Sequence, residues 1–137
     1  MADACETQAV GIRVLVVDDD LYARQAMMEG LRSRGYRVNG AEDGLQALQQ
    51  LRREPFNLVI TDIQMPRMDG VAILREICRH DYAPVIVQTT LVDSYLQDVL
   101  RGAGASGVLV KGEAVAELVR LVEAVCRTPE ESSPQRA

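Results

Sequence analysis

The sequence predicts an α/β fold in which one parallel sheet of five strands is covered by helices on both faces. Five short β-rich runs alternate strictly with segments of helical period. Some of these runs, such as VLVV at 14–17, are continuously apolar, which is typical of strands buried on both faces. The length of 137 residues suits a single domain of this kind. The predicted architecture is therefore a doubly wound sandwich.

The predicted strands are short runs rich in β-branched and apolar residues. They are residues 12–17, 36–41, 57–61, 84–89 and 107–111. The segments after each strand place apolar residues three and four apart, as one buried helix face requires. They are residues 21–34, 45–53, 71–79, 94–101 and 113–127. In the first helix, for example, Ala26, Met27, Gly30 and Leu31 share one stripe. The pattern is a β-α unit repeated five times.

The two ends of the chain differ from this pattern. Residues 1–10 have no apolar period and predict a flexible N-terminal segment. Residues 128–137, TPEESSPQRA, are rich in Pro, Ser and Glu, which predicts a disordered tail or a linker stub. The domain itself is predicted to span residues 11–127.

Composition excludes several function classes. A net charge of −5 disfavours direct contact with nucleic acid or with anionic membranes. The three cysteines are far apart and form no metal-binding spacing, which favours a reducing cytoplasm over secretion. Neither a signal sequence nor a membrane span is predicted. Function is therefore expected to depend on a specific site.

The residues that end the strands are the candidate site, because ligands of open α/β sheets bind at the carboxyl ends of the strands. These positions carry acids, one hydroxyl and one ammonium: Asp18, Asp19, Asp20, Asp62, Thr89 and Lys111. Carboxylates ~5 Å apart repel by roughly 3 kcal/mol per pair at an effective dielectric of ~20. A bound cation would relieve this repulsion. An all-oxygen ligand set favours Mg²⁺ over zinc.

Five motifs resemble those of bacterial response-regulator receiver domains, the CheY-like family. They are VLVVDDD at 14–20, AEDGLQAL at 41–48, LVITDIQMPRMDG at 58–70, PVIVQTT at 84–90 and GASGVLVK at 104–111. The resemblance covers about residues 11–127, and the D-x-x-M-P-x-M-D-G block is its most specific part. It implies a flavodoxin-like (βα)5 fold with the strand order 2-1-3-4-5.

The resemblance also implies the chemistry of the site. Asp62 would be the phosphoacceptor, the residue that takes a phosphoryl group from the phosphohistidine of a histidine kinase. Asp19 would bind Mg²⁺ directly and Asp18 largely through water, and Asp62 and the backbone carbonyl of Gln64 would complete the protein ligands. Asp20 corresponds to no ligand of the family.

The resemblance further implies a switch. Thr89 and Lys111 would contact the new phosphoryl group and draw the end of strand four inward. Two positions depart from the family pattern. Val108 replaces the usual aromatic residue of strand five, and Gly112 replaces the proline that commonly follows the lysine. Because valine has one strongly preferred rotamer, a weaker or differently built switch is predicted.

The function implied is that of a phosphorylation-activated switch in a two-component phosphorelay, not of a turnover enzyme. Its expected partners are a sensor histidine kinase or phosphotransfer protein and an output protein bound by the face of helix four, strand five and helix five. A phosphorylation-dependent homodimer is compatible with this interpretation. The alternatives are the receiver half of a longer DNA-binding transcriptional regulator and a haloacid-dehalogenase-like phosphatase that uses Asp18 and Asp20.

Overall fold

The computed structural model describes residues 11–65, 68–90, 93–110 and 115–125, with backbone only at 64–65, 68–70 and 115. Five parallel strands form one sheet in the order β2-β1-β3-β6-β7. These strands are β1 (Arg13–Val17), β2 (Arg37–Ala41), β3 (Leu58–Asp62), β6 (Val85–Thr89) and β7 (Gly107–Val110). The predicted strand order 2-1-3-4-5 is confirmed, because the intervening β4 (Gln64–Met65) and β5 (Met68–Asp69) form a separate antiparallel ribbon.

Helices cover both faces of the sheet. They are α1 (Leu21–Arg32), α2 (Gly44–Arg53), α3 (Gly70–Arg79), α4 (Ser94–Gly102) and α5 (Val115–Val125). Apolar residues of α1 and α5 pack on one face, and those of α2, α3 and α4 pack on the other. The central strands contact both layers, so their side chains are almost entirely buried. The predicted doubly wound sandwich is confirmed.

The structure differs from the sequence prediction in three details. Predicted helix ends shift by one or two residues where turns take over, as in α1, which ends at Arg32. Ala26 is exposed, and Met27 and Leu31 form the buried stripe of α1. The β4–β5 ribbon was not predicted, since two residues per strand are too few for a periodic signal. The predicted terminal segments, 1–10 and 128–137, lie outside the described residues.

Three helices begin with an aspartate cap at the carboxyl edge of the sheet. The side chains of Asp20, Asp43 and Asp93 each accept a hydrogen bond from a backbone N–H of the first helical turn. Such caps satisfy N–H groups that have no partner within the helix. The caps therefore fix where α1, α2 and α4 leave this edge. In the described part of the chain, no helix combines the length and apolar character needed to cross a bilayer.

Candidate acidic site at the carboxyl edge of the sheet

Asp18 is held rigidly at the end of β1. Its backbone N–H donates to the carbonyl of Ala41 at 3.1 Å, which extends the pairing with β2 by one residue. The side chain is fully buried, and its Oδ1 accepts the backbone N–H of Asp20 at 2.9 Å. The apolar run of β1 therefore carries the chain into the core and delivers a carboxylate at the point where the strand ends.

The next two acids are placed differently. Asp19 is exposed, so its carboxylate can meet a solvated ion. Asp20 is the N-cap of α1, and its Oδ1 accepts the backbone N–H of Tyr22 at 3.0 Å. This role agrees with the prediction that Asp20 is not a metal ligand.

Asp62 is the last residue of β3 and is only 2% exposed. Its register partner is Gln88 of β6, and the following residue, Ile63, donates its N–H to the Gln88 carbonyl at 3.0 Å. The three residues before the threonine of β3, Leu58, Val59 and Ile60, are completely buried. A strand anchored on both sides thus fixes the position of the Asp62 carboxylate.

Asp18, Asp19 and Asp62 converge. One carboxylate oxygen from each lies within 4.8 Å of the others. Two ionised carboxylates at this separation repel by roughly 3 kcal/mol at an effective dielectric of ~20. The donor set is entirely oxygen, with two buried groups at the floor and one exposed group at the mouth. This chemistry fits a hard divalent cation approached from solvent.

The other predicted site residues are only partly visible. Thr89 is fully buried at the end of β6, and its register partner Val110 ends the described part of β7. Lys111 and Gly112 lie outside the described residues, as does the side chain of Gln64. Val108 is half-buried on β7 and packs against the core cluster of α2, α3 and α4. Among the described predicted residues, the structure brings together the three acids.

Sequence reasoning missed two contacts near the site. The guanidinium of Arg24 on α1 donates to the backbone carbonyl of Asp18 at 2.7 Å. The buried amide of Gln88 contacts the sulfur of Met27 at 2.7 Å. An arginine one turn into the helix that follows an acidic run was a usable signal for the first contact. Nothing in the sequence pattern pointed to the second.

Two groups on α3, away from this edge, have shifted pKa values. The side chain of Arg79 hydrogen-bonds Glu76 and lowers the pKa of that carboxyl, and His80 adds to the effect. His80 itself is exposed directly after the end of α3. Burial raises the pKa of the Cys78 thiol. None of these groups contributes to the acidic site.

Two features together define the class of protein to which this chain belongs. They are a doubly wound parallel sheet and a cluster of carboxylates at the carboxyl edge of that sheet. Residues 14–123 match the family model of the response regulator receiver domain. The chain belongs to this family.

Curated and structural relatives agree with this assignment. The transcriptional regulatory protein PdtaR of Mycobacterium tuberculosis is 37% identical over 116 residues, covering 84% of this chain and 57% of PdtaR. The structure of chemotaxis protein CheY4 from Vibrio cholerae has a TM-score of 0.78 at 29% identity and covers 83% of this chain and 98% of that one. The response regulator TrrA of Thermotoga maritima, solved in complex with Mg²⁺ and BeF, has a TM-score of 0.75 at 33% identity, with coverages of 83% and 98%.

Family membership bears on the alternatives. Receiver domains are phosphoryl-accepting switches. The phosphatase alternative is not supported, and the carboxylate of Asp20, its supposed acid-base group, is the cap of α1. The chain spans about half the length of the curated relatives it matches. The alternative of a longer DNA-binding regulator stays a prediction.

Proposed function

We propose that the protein receives a phosphoryl group on Asp62 from the phosphohistidine of a sensor histidine kinase or phosphotransfer protein. A carboxylate oxygen of Asp62 attacks phosphorus, the P–N bond to histidine breaks, and the imidazole leaves with the bonding electrons. The product is an acyl phosphate on Asp62. The observation that carries this proposal is the convergence of three carboxylates, with Asp62 buried at the end of a rigid strand.

Mg²⁺ is the proposed cofactor. When bound, it supplies positive charge against the oxygens of the transferring phosphoryl group. Asp19 would hold it directly and Asp18 largely through water, with Asp62 and the Gln64 carbonyl as the remaining protein ligands. The exposed position of Asp19 at the mouth of the cluster supports its role as a direct ligand.

The phosphorylated state is proposed to signal by changed protein contacts and not by turnover. Lys111 and the hydroxyl of Thr89 would contact the phosphoryl oxygens, and the end of β6 would shift. The output surface would be the face of α4, β7 and α5. Val108 lines an open groove of about 350 Å³ on this face together with Leu109, Leu121 and other residues of α5. An output protein could bind in this apolar groove. A second copy of the chain could do so in a phosphorylation-dependent homodimer.

A protein phosphodonor is favoured by the rim of the acidic site. Four large apolar side chains lie in the first turns of α1, α2 and α4, at the same edge of the sheet as the acids. They are Leu21, Tyr22, Leu45 and Tyr95, and they are 46%, 80%, 62% and 74% exposed. Exposed apolar groups around a reactive centre suit a protein partner that covers them during transfer. The proposed location is the cytoplasm, where the protein would contact the kinase domain of its phosphodonor.

Incubation with acetyl phosphate and Mg²⁺ tests this function. Intact mass should increase by one phosphoryl group, and the increase should disappear when Mg²⁺ is chelated. The Asp62→Asn variant should not gain this phosphoryl group at a rate near that of wild type. Phosphorylation of Asp62→Asn as fast as wild type would exclude Asp62 as the acceptor.

A further inference from the structure

Arg24 lies where it can control the geometry of the acidic site without belonging to it. Its guanidinium Nη1 donates to the backbone carbonyl of Asp18 at 2.7 Å, and the contact is partly buried. The preceding peptide unit, Val17–Asp18, is held separately, because the Asp18 N–H donates to the carbonyl of Ala41 on β2. Asp18 is therefore fixed to β2 through its N–H and to α1 through its carbonyl.

This clamp bears directly on the two acids. Asp18 and Asp19 flank the carbonyl that Arg24 binds, so a rotation of that peptide would re-aim the carboxylate of Asp19. Hydrogen bonds to charged donors are stronger than neutral ones and fix orientation more firmly. Partners that orient metal ligands commonly change metal affinity when they are removed.

The edge strand β2 is built to admit Arg24. A Cβ placed on Gly40 would lie 3.2 Å from Cδ of Arg24 and 2.9 Å from Sδ of Met28. Both distances are shorter than ordinary van der Waals contacts. The absence of a side chain at Gly40 lets the stem of Arg24 pass over β2 and reach the Asp18 carbonyl.

We infer that Arg24 is a positioning residue for divalent-cation binding, acting through the Asp18 carbonyl and given room by Gly40. The inference rests on the proposed function. The positioning effect and the charge of Arg24 change the Mg²⁺ affinity in opposite directions. The positive charge of Arg24 repels a cation, so loss of charge alone would tighten Mg²⁺ binding, whereas loss of positioning would weaken it.

Arg32 offers a matched control on the same helix. Its guanidinium Nη2 donates to the backbone carbonyl of Val38 at 2.9 Å, also in a partly buried contact. Arg24 and Arg32 line the same open groove of about 400 Å³ between α1, β2 and α2. Arg32, however, binds β2 at a carbonyl away from the acidic cluster. Replacing either arginine removes one guanidinium-to-carbonyl bond, but only Arg24 touches the turn that carries the acids.

The experiment measures the Mg²⁺ dissociation constant by calorimetry for wild type, Arg24→Met, Arg24→Lys, Arg32→Met and Gly40→Ala, with melting temperatures recorded without metal. Arg24→Met should bind Mg²⁺ about tenfold more weakly, and Arg24→Lys should recover part of the loss. Gly40→Ala, which keeps the guanidinium but displaces its stem, should also weaken binding. Arg32→Met should retain the wild-type constant.

A second readout does not involve the metal. The Asp20 amide, which donates to Oδ1 of Asp18, should lose hydrogen-exchange protection in Arg24→Met and keep it in Arg32→Met. Equal or tighter Mg²⁺ binding by Arg24→Met, or equal weakening in both arginine variants, would overturn the inference. Failure of wild type itself to bind Mg²⁺ would instead contradict the proposed function.

Discussion

The three consecutive aspartates after β1 show how position decides the role of identical side chains. Asp18 is buried, Asp19 is exposed at the mouth of the cluster, and Asp20 caps α1. Strand alternation and the start of a helix within three residues send the carboxylates in different directions. The sequence predicted that acids gather here, and family resemblance was needed to tell their roles apart.

Replacing Asp19 should separate metal binding from folding. At a Mg²⁺ concentration ~100 times its dissociation constant, binding should stabilise wild type by about 2.7 kcal/mol. For a domain of this size the melting temperature should rise by roughly 10 °C. Asp19→Asn should lose most of this rise, because it removes a charged oxygen ligand. Thermal denaturation with and without Mg²⁺ measures the effect.

Asp20→Asn is the matched control, because asparagine also caps helices well while the neighbouring negative charge is lost. It should keep nearly all of the Mg²⁺ response. An equal response in wild type and Asp19→Asn would remove Asp19 from the set of metal ligands.

At the scale of elements, the glycines between α4 and β7 are structural. The series Gly102, Gly104 and Gly107 matches the spacing of a dinucleotide-binding motif, but it follows a helix and leads into a strand. Gly104 has a φ of +120°, and a Cβ there would lie 2.5 Å from the sulfur of Cys78 on α3. Gly104 therefore permits both the turn and the close approach of α3.

Gly104→Ala should lower the free energy of unfolding by about 2 kcal/mol or more, from backbone strain and overpacking together. Gly102→Ala should raise it by about 0.5–1 kcal/mol, because Gly102 is helical and, among the described residues, no side chain or distant backbone atom lies within 4 Å of the added methyl. Urea denaturation compares the two variants. Equal stability of both would show that the contact with Cys78 imposes no constraint.

The proposed switch involves several strands and helices: the end of β6, α4 and β7. Addition of beryllofluoride and Mg²⁺, a phosphoryl mimic, should shift backbone amide resonances from Thr89 through α4 and near Val110. Val108 should keep one side-chain rotamer in both states, since β-branched residues strongly prefer one χ1. Methyl NMR can measure this. A large rotamer change at Val108, or no response around Thr89, would contradict the proposed switch.

On the scale of the whole molecule, one edge of the sheet carries both the acids and an apolar rim. Tyr22→Ser and Leu45→Ser should slow phosphoryl transfer from a phosphorylated histidine kinase severalfold, because each removes apolar area that a protein partner would cover. Their rates with acetyl phosphate should stay at the wild-type value. Equal slowing with both donors would indicate damage to the acidic site instead of to docking.

The fold could be predicted because β-α alternation and continuous apolar strands appear directly in the sequence. The acidic cluster could also be predicted, since parallel strands bring their carboxyl ends to one edge. The clamp of Arg24 on Asp18 was missed, because a long side chain that reaches a backbone carbonyl leaves no periodic trace, and its one signal was the place of Arg24 in the helix after the acidic run. The prediction that Ala26 shares the buried stripe of α1 was wrong, because α1 packs on the sheet through Met27 and Leu31, with Met28 partly buried beside them.

Borohydride reduction, which locates the phosphoryl group, is the most direct test of whether Asp62 receives it. Reduction converts an aspartyl phosphate to homoserine, which marks the residue after tryptic digestion. Homoserine is expected in the peptide of residues 54–67, where Asp62 is the only aspartate. Homoserine in the peptide of residues 14–24, which carries Asp18, Asp19 and Asp20, with an unmodified peptide 54–67, would contradict it.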